Sequence, residues 1–556
     1  MRTLYTYALW ALFFSYSVAL TIPSIARFKP LNTQYSFPED SFPDHYSDKE
    51  SSSTFEQWLQ EEEETALSRL LANIAPGGLN TAGAAPGTVI ASPSREHPNY
   101  YYQWVRDAAI TTSSLVNVYS SSPSSPTTTN ITSLMAAYTT LQRTLQTTSN
   151  PSGSFSDLSS LGEPKFLVSG APFTGSWGRP QTDGPALRAL TLMRWLHTYN
   201  TTHPSLWAHR FTSTDASDFF NTLYAPALPP ASIIKADLEY VSHHWHLPSF
   251  DLWEEIRGSH LFTMSVQQRA LRSGAALARA FNDPAAAEWY DTQADSIRAL
   301  LLRFWDSQRN HLISMLDQPS RSGLDCSVLL ASLHGSQEIF LPWSDEVLKT
   351  LLALARDMQA RYPINWPPSS SKSDSHEPLP PSPNPMFPAV ALGRYPEDVY
   401  TGDGTASEGG NPWFLCTASA AEILYRTAHH LQNQSQNRNA ADVVINATAL
   451  DFWQHFLPFA HTPTANTEYL VIPEHDIKPT SSNLIRTADL FLSIVRAHAD
   501  ASYTPDNHDR GGRLSEQFDR YTGFERGARD LTWSYASLLE AARWRERARE
   551  AVGEAS

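Results

Sequence analysis

From Phe55 onward the chain repeats one theme, a long stretch with apolar residues at helical spacing followed by a substantial irregular connection, with few runs alternating at the strand period. A chain built this way buries itself by packing helix stripes on one another, so the expected class is all-α. Helices are predicted to begin near Phe55, Trp104, Ser133, Pro185, Ile233, Leu261, Pro284, Asp345, Pro412, Asp442, Thr487 and Asp530, about twelve in all. Four starts carry a side-chain acceptor: Asp183 with Pro185, Asp283 with Pro284, Ser344 ahead of Asp345 and Glu346, and Asn411 with Pro412. Each puts an oxygen near unpaired N–H groups, and three add a Pro where the missing donor costs nothing. Between Asp283 and Asp306, residues Trp289, Ile297, Leu300, Leu301 and Phe304 predict one buried stripe. Such a helix count suits a closed double ring.

The length of 556 residues with 41% hydrophobic content excludes a disordered chain. A formal net charge of −16 leaves no basic stripe to displace counterions, which excludes nucleic acid as a partner. The 16 Trp and 22 Tyr are flat amphipathic rings that pack cores and also stack on sugar faces, so composition does not choose between those uses.

At the N-terminus Arg2 precedes the apolar run Tyr7 to Phe14 and the small-x-small site Ser17-Val18-Ala19, which reads as a signal peptide over residues 1–19. The run is too short to span about 30 Å of hydrocarbon, so no membrane association is expected after cleavage. Sequons at Asn130, Asn200, Asn433 and Asn446 fit passage through the secretory pathway, to a secreted or vacuolar destination. Residues 20–53 read as a loose polar arm and 54–556 as one domain. Within that domain the Pro- and Ser-rich stretch 363–388 reads as a mobile loop. Nothing after Asp530 resembles a stalk or an appended binding module.

Cys326 and Cys416 are the chain's two cysteines, so one bridge at most can form. No H-E-x-x-H pattern occurs among the 19 His, and His243, His244 and His246 cannot share one helix face; they read as a polar helix end, and no metal is expected.

Cleaving a glycosidic bond asks for two carboxyls on opposite faces of a sugar. The segment Ser249 to His260 crowds Asp251, Glu254 and Glu255 around Trp253, and like-charge crowding beside an indole is expected to raise at least one of their pKa values. A solvated acidic turn ahead of the helix at Leu261 would read the same way, so the segment needs corroboration. Four others supply it: Asn99 to Asp107, Gly175 to Gly184, Gly393 to Asp398 with Asn411 to Phe414, and Leu514 to Asp519. Each mixes aromatics, Arg and carboxylates beside a helix end, the mixture with which proteins stack sugar rings and pair their hydroxyls.

At these residues the chain closely resembles the glucoamylases of glycoside hydrolase family 15, from about Phe55 to Arg545. The stretches that carry the resemblance are Ile90-Ala-Ser-Pro-Ser94, Tyr102-Gln-Trp-Val-Arg-Asp107, Trp177-Gly-Arg-Pro-Gln181, Asp251-Leu-Trp-Glu-Glu255, Gly393-Arg-Tyr-Pro-Glu-Asp398 and Ser515-Glu-Gln517. The ending, from Tyr521 to Tyr535, is closer to yeast-type than to filamentous-fungal members. The resemblance implies an (α/α)6 barrel with long loops forming a pocket at one end, and exo-acting, inverting release of β-glucose from α-1,4-glucans. Starch, glycogen and maltooligosaccharides would be the partners, α-1,6 links would react more slowly, and no cofactor is implied; a monomer is expected.

The same matching makes Glu254 the general acid and Glu516 the general base, with Asp251 and Glu255 tuning the site. Asp251 is the rival for base, but a helical i,i+3 spacing would leave its β-carbon only about 5–6 Å from that of Glu254. An inverting pair stands about 6.5–9.5 Å apart. Arg106, Asp107 and Arg321 would hold glucose hydroxyls, Tyr100, Trp104, Trp177, Trp253 and Trp413 would wall the pocket, and Arg179 and Asp325 join the substrate-binding set. The filamentous-fungal disulfides have no counterpart, so stability is expected to rest on packing alone. Rival readings are another helical-barrel carbohydrase such as a trehalase, and a secreted glycan-binding protein that has lost turnover; the presence of both Glu254 and Glu516 argues against the latter.

Overall fold

The computed structural model describes residues 52–121, 126–210, 212–335, 337–366, 387–437, 442–458, 469–499 and 512–554. The stretches read from sequence as a signal peptide and a loose arm, apart from residues 52–53, and most of the Pro- and Ser-rich stretch lie outside them. Ser53–Ser556 forms one contact unit.

Twelve helices frame it. In chain order they are α1 (Ser52–Ala72), α2 (Val105–Ser121), α3 (Pro126–Thr147), α4 (Asp183–Thr202), α5 (Ile233–His244) and α6 (Leu261–Ala280). There follow α7 (Pro284–Leu301), α8 (Ser327–Leu330, prolonged by a π-helical turn Ala331–Gly335), α9 (Asp345–Arg361), α10 (Phe414–Asn437), α11 (Glu474–His498) and α12 (Thr532–Val552). The even-numbered helices pack in sequence, α2 on α4, α4 on α6, α6 on α8, α8 on α10, α10 on α12, and α12 returns to α2. That closes an inner ring. The odd-numbered helices lie outside it: α3 on α2, α5 on α4 and α6, α7 on α6, α9 on α8, and α11 on α10 and α12. α1 completes the outer ring through polar ties, Arg545 to Glu56 and Asn73 to the Asp530 carbonyl. The architecture is the expected (α/α)6 barrel.

Several local expectations are corrected. Asp183 Oδ1 accepts from the first-turn N–H of Gly184 at 2.7 Å, but Ser344 and Asp283 make no cap bond: the Asp283 carboxylate takes Tyr224 and Lys235, and Asn411 accepts from the Arg520 N–H and donates to Gln517. Burial of those partners outweighs a cap that water can replace. On α7 the stripe runs through Ala287, Tyr290, Ala294, Ile297 and Leu301, and Trp289 is 41% exposed, because the apolar face is set one residue on from the tryptophan. The helix predicted at Asp442 is a strand, Val443–Asn446, paired with Tyr469–Ile472; Val443 and Ile445 are buried while Val444 and Asn446 are not, the strand period. The helix predicted from Thr487 begins at Glu474 and carries Pro479 inside. His243 and His244 close α5, their ring nitrogens bonded to carbonyls four residues back. Cys326 and Cys416 form a disulfide with Cα atoms 5.9 Å apart, so stability does not rest on packing alone.

Candidate active site

The chain segments at the starting ends of the inner helices surround a cavity of about 310 Å³. Its walls include Arg106 and Asp107 at the start of α2, Trp413 and Leu415 at the start of α10, and Leu531 and Trp533 at the start of α12. Helix starts carry unpaired N–H groups and a partial positive charge, which favours carboxylates.

Of the residues singled out from sequence, Tyr100, Trp104, Arg106, Asp107, Trp177, Trp253, Glu254, Glu255, Trp413 and Glu516 line this cavity. Glu254 lies in the connection to α6, the third inner helix, and Glu516 in the connection to α12, the sixth. In a ring of six those positions are opposite one another.

Glu254 is held at φ 67°, a left-handed conformation that costs a residue with a β-carbon about 1–2 kcal/mol. The surroundings impose it: Oε1 accepts from the Trp104 indole and the Gln181 amide, both at 2.8 Å, with an Arg106 nitrogen 3.6 Å away. Glu516 is fully buried in the turn leading to the two-stranded ribbon Gln517–Phe518/Glu525–Arg526. Its Oε2 accepts from Tyr400 at 3.3 Å, and its Oε1 is buried with no protein partner. Gly527 faces it at φ 70°, where a β-carbon would collide with Oε2. Burial pushes the Glu516 carboxyl up to about 7, against the lowering effect of Tyr100, Arg394, the Ala528 backbone and Tyr400.

The rings are fixed by polar ties. Trp253 lies 5.5 Å from Trp413 between ring centroids, and its indole donates to Asp325 at 3.1 Å. The indole nitrogens of Trp177, Trp413 and Trp533 are buried without protein partners. Buried polar atoms are almost always paired, so three such donors and Glu516 Oε1 around one cavity mark it as a place for a hydroxyl-rich ligand.

Four expected site residues do not line the cavity. Asp251 is 4% exposed and accepts from the backbone N–H groups of Trp253, Glu255 and Ile256, so it shapes the turn. That turn is not helical, and the spacing argument between Asp251 and Glu254 does not apply. Arg179 pairs with Glu163 at 2.8 Å and with the carbonyls of Phe173 and Gly175, clamping its own loop. Asp325 steadies Trp253 and accepts from Ser327 N–H; burial pushes it up to about 7. Arg321 reaches Glu255 at 3.1 Å from outside.

The expected upward shift in the acidic segment does not occur at Glu255. Burial raises it, but Arg394, the Tyr395 hydroxyl and Arg321 outweigh that and hold it below the usual range. Asp107 is the raised acid on this wall, pushed by burial up to about 6 against Arg106.

The structure adds residues that sequence reasoning gave no role. Arg394 sits in the wall, paired with Asp398 at 2.6 Å and Glu255 at 2.9 Å, its guanidinium 5.3 Å from the rings of both Trp253 and Trp413. The i,i+4 Arg–Asp spacing within Gly393 to Asp398 was the available signal. Tyr400 bridges Tyr100, at 3.2 Å, and Glu516. Lys165, 2% exposed, puts its ammonium 3.5 Å from the Trp177 ring centre and 4.5 Å from that of Trp104. The segment 401–410 folds against Arg520, Arg526 and Gly527 around a second, outer hollow.

With this geometry in view, residues 64–543 match the family described as Glycosyl hydrolases family 15. A glucoamylase of Saccharomycopsis fibuligera is 37% identical over 545 residues, covering 93% of this chain and 95% of that one. A protein of Saccharomyces cerevisiae named as an intracellular, sporulation-specific glucoamylase is 34% identical, over 88% of this chain and 84% of its own. Among solved structures, the glucoamylase from Saccharomycopsis fibuligera superposes with a TM-score of 0.74 at 34% identity, covering 91% of this chain and 99% of that one.

Proposed function

Because the chain belongs to the glycosyl hydrolases of family 15, we propose that it is an exo-acting hydrolase that removes glucose from the non-reducing ends of α-1,4-glucans with inversion, with Glu254 as general acid and Glu516 as general base. The observation that carries this reading is Glu516 Oε1, buried without a protein partner in the wall that faces Glu254.

The division of labour follows from the hydrogen bonds. Two N–H donors commit Glu254 Oε1 to accepting, which leaves Oε2 to hold the proton that passes to the leaving glycosidic oxygen. As that proton leaves, the same two donors stabilise the carboxylate that forms. On the opposite side Glu516 Oε1 takes a proton from the attacking water, while Tyr400 holds Oε2 and fixes the rotamer. Attack from the face opposite the leaving group gives the β-anomer. Trp253 and Trp413 stack the terminal ring, Arg106 and Asp107 pair its hydroxyls, and a cavity of this size admits a chain end and excludes the middle of a glucan. Starch, glycogen and maltooligosaccharides share that end and serve as substrates, with α-1,6 links slower.

We further place the protein in the secretory route as a monomer, secreted or vacuolar. The apolar run after Arg2 and the Cys326–Cys416 bridge support the route, since disulfides persist in oxidising compartments. Among the described residues no helix is long and apolar enough to cross a membrane.

The test is a pair of variants on maltotriose. Glu254→Gln and Glu516→Gln are each expected to lower kcat by about 10³-fold or more with KM nearly unchanged. Undiminished turnover in either would remove that residue from the mechanism.

A further inference from the structure

A separate cavity of about 290 Å³ lies away from the one between Glu254 and Glu516. It is walled by residues 343–346 at the start of α9, by His430 and Gln434 on α10, by the strand Val443–Asn446 and by Trp453. It reaches the surface at Val444 and Asn446, both exposed. Leu415 lines the first cavity and His430 and Gln434 this one, so the two stand about 20–30 Å apart along α10.

Its walls suit a neutral, hydroxyl-rich ligand. The rings of Trp343 and His430 stack with centroids 4.1 Å apart and planes 10° from parallel, and the Gln434 amide lies 2.7 Å from His430 Nε2. Burial, with repulsion from His429 added, pushes His430 down to about 4, so it is uncharged at neutral pH. Among the described residues no Lys or Arg lines the cavity, which disfavours an anion, and Asp345 and Glu346 are too few to hold a metal. Ser344 Oγ and Trp453 Nε1 are buried without a protein partner, and Ser344, although it precedes α9, makes no cap bond. Buried polar atoms are almost always paired, so a cavity that gathers two orphans is built for a ligand that supplies their partners. At its mouth Tyr469, 59% exposed, pairs across the ribbon with Asn446 and lies on the same face.

We propose that this cavity binds a glucosyl unit of an α-glucan without cleaving it, holding one branch of glycogen or starch while another end enters the cavity between Glu254 and Glu516. The choice of glucan rests on the function proposed above. Aromatic rings stack on a sugar face, the amides and carboxylates pair its hydroxyls, and the volume is close to the 310 Å³ of the first cavity. Asp345 and Glu346 are neighbours at one helix start and no carboxylate faces them in the walls, so the site lacks the pair that hydrolysis needs. A second anchor raises the effective concentration of polymer ends at the first cavity, a gain that maltotriose is too short to share. Asn446 opens the sequon Asn446-Ala-Thr448, which makes a glycan of the chain itself the competing occupant. The Asn446 side chain is engaged with Asp345, which favours a ligand from outside.

β-Cyclodextrin has no chain end, so it separates the two cavities. Calorimetric titration of the whole protein is expected to show one-to-one binding that leaves maltotriose turnover unchanged. Tyr469→Ala, at an exposed position, should weaken that binding about three- to tenfold and raise KM on glycogen by a similar factor, with kcat and KM on maltotriose unaltered. Ser344→Ala should weaken binding about threefold without lowering Tm, because the hydroxyl has no partner in the protein to lose. No binding by a protein that hydrolyses maltotriose, or undiminished binding in both variants, would overturn the proposal. So would binding that appears only in Thr448→Ala, which removes the sequon, because the chain's own glycan would then be the occupant. Failure of the unaltered protein to hydrolyse maltotriose is the separate failure of the function proposed above, and it would take this inference with it.

Discussion

The indole N–H of Trp104 donates to Glu254 Oε1 at 2.8 Å, which ties the wall of the cavity to the proposed proton donor. This hydrogen bond strengthens as the carboxyl becomes a carboxylate, so it acts in the transition state more than in the ground state. Trp104→Phe keeps the ring and removes the donor. It is expected to lower kcat on maltotriose about 10- to 100-fold, the loss of one hydrogen bond to a charged group, with KM little changed. A variant that raised KM alone would reduce Trp104 to a stacking surface.

Tyr400 bears on the other carboxyl. Burial holds Glu516 up to about 7, and the Tyr400 hydroxyl is among the groups that pull it down. A general base works ionised, so activity falls as pH drops through its pKa, and removing a group that lowers that pKa moves the fall upward. Tyr400→Phe is therefore expected to shift the acid limb of the kcat/KM–pH profile to higher pH and leave the basic limb in place. A shift to lower pH would contradict the assignment.

The Cys326–Cys416 bridge joins the first turn of α10 to the residue before α8, next to Asp325 and Trp413, and closes a separation of 90 residues. Replacing both cysteines with Ala is expected to cost about 2–5 kcal/mol, read as a lower denaturant midpoint. Reductant should produce the same loss in the unaltered protein. Equal midpoints with and without reductant would mean that the bridge carries no stability.

The barrel was legible because inner helices such as α2 and α6 are long, and the apolar part of their buried residues recurs at the 3.6-residue period. The strand Val443–Asn446 was missed because four residues of alternation are too few to distinguish from a helix start. Within the site, motif position identified the walls but not which way each polar side chain turns. Arg179 sits in an aromatic, turn-rich segment like a true lining residue, yet it clamps its own loop, and Asp325 holds Trp253 rather than facing the cavity. Lys165 had no signal at all: its cage of Tyr102, Trp104, Phe173 and Trp177 is assembled from two strands and a loop that meet only in the fold.

The most direct measurement follows the anomer of glucose released in the first minutes of maltotriose hydrolysis by proton NMR, before mutarotation equilibrates it. The proposed pair, Glu254 as general acid and Glu516 as general base acting through water, predicts β-glucose first, drifting toward the α/β equilibrium. Initial α-glucose would contradict the account at its centre, because it would mean that a carboxylate, rather than water, attacks the anomeric carbon first.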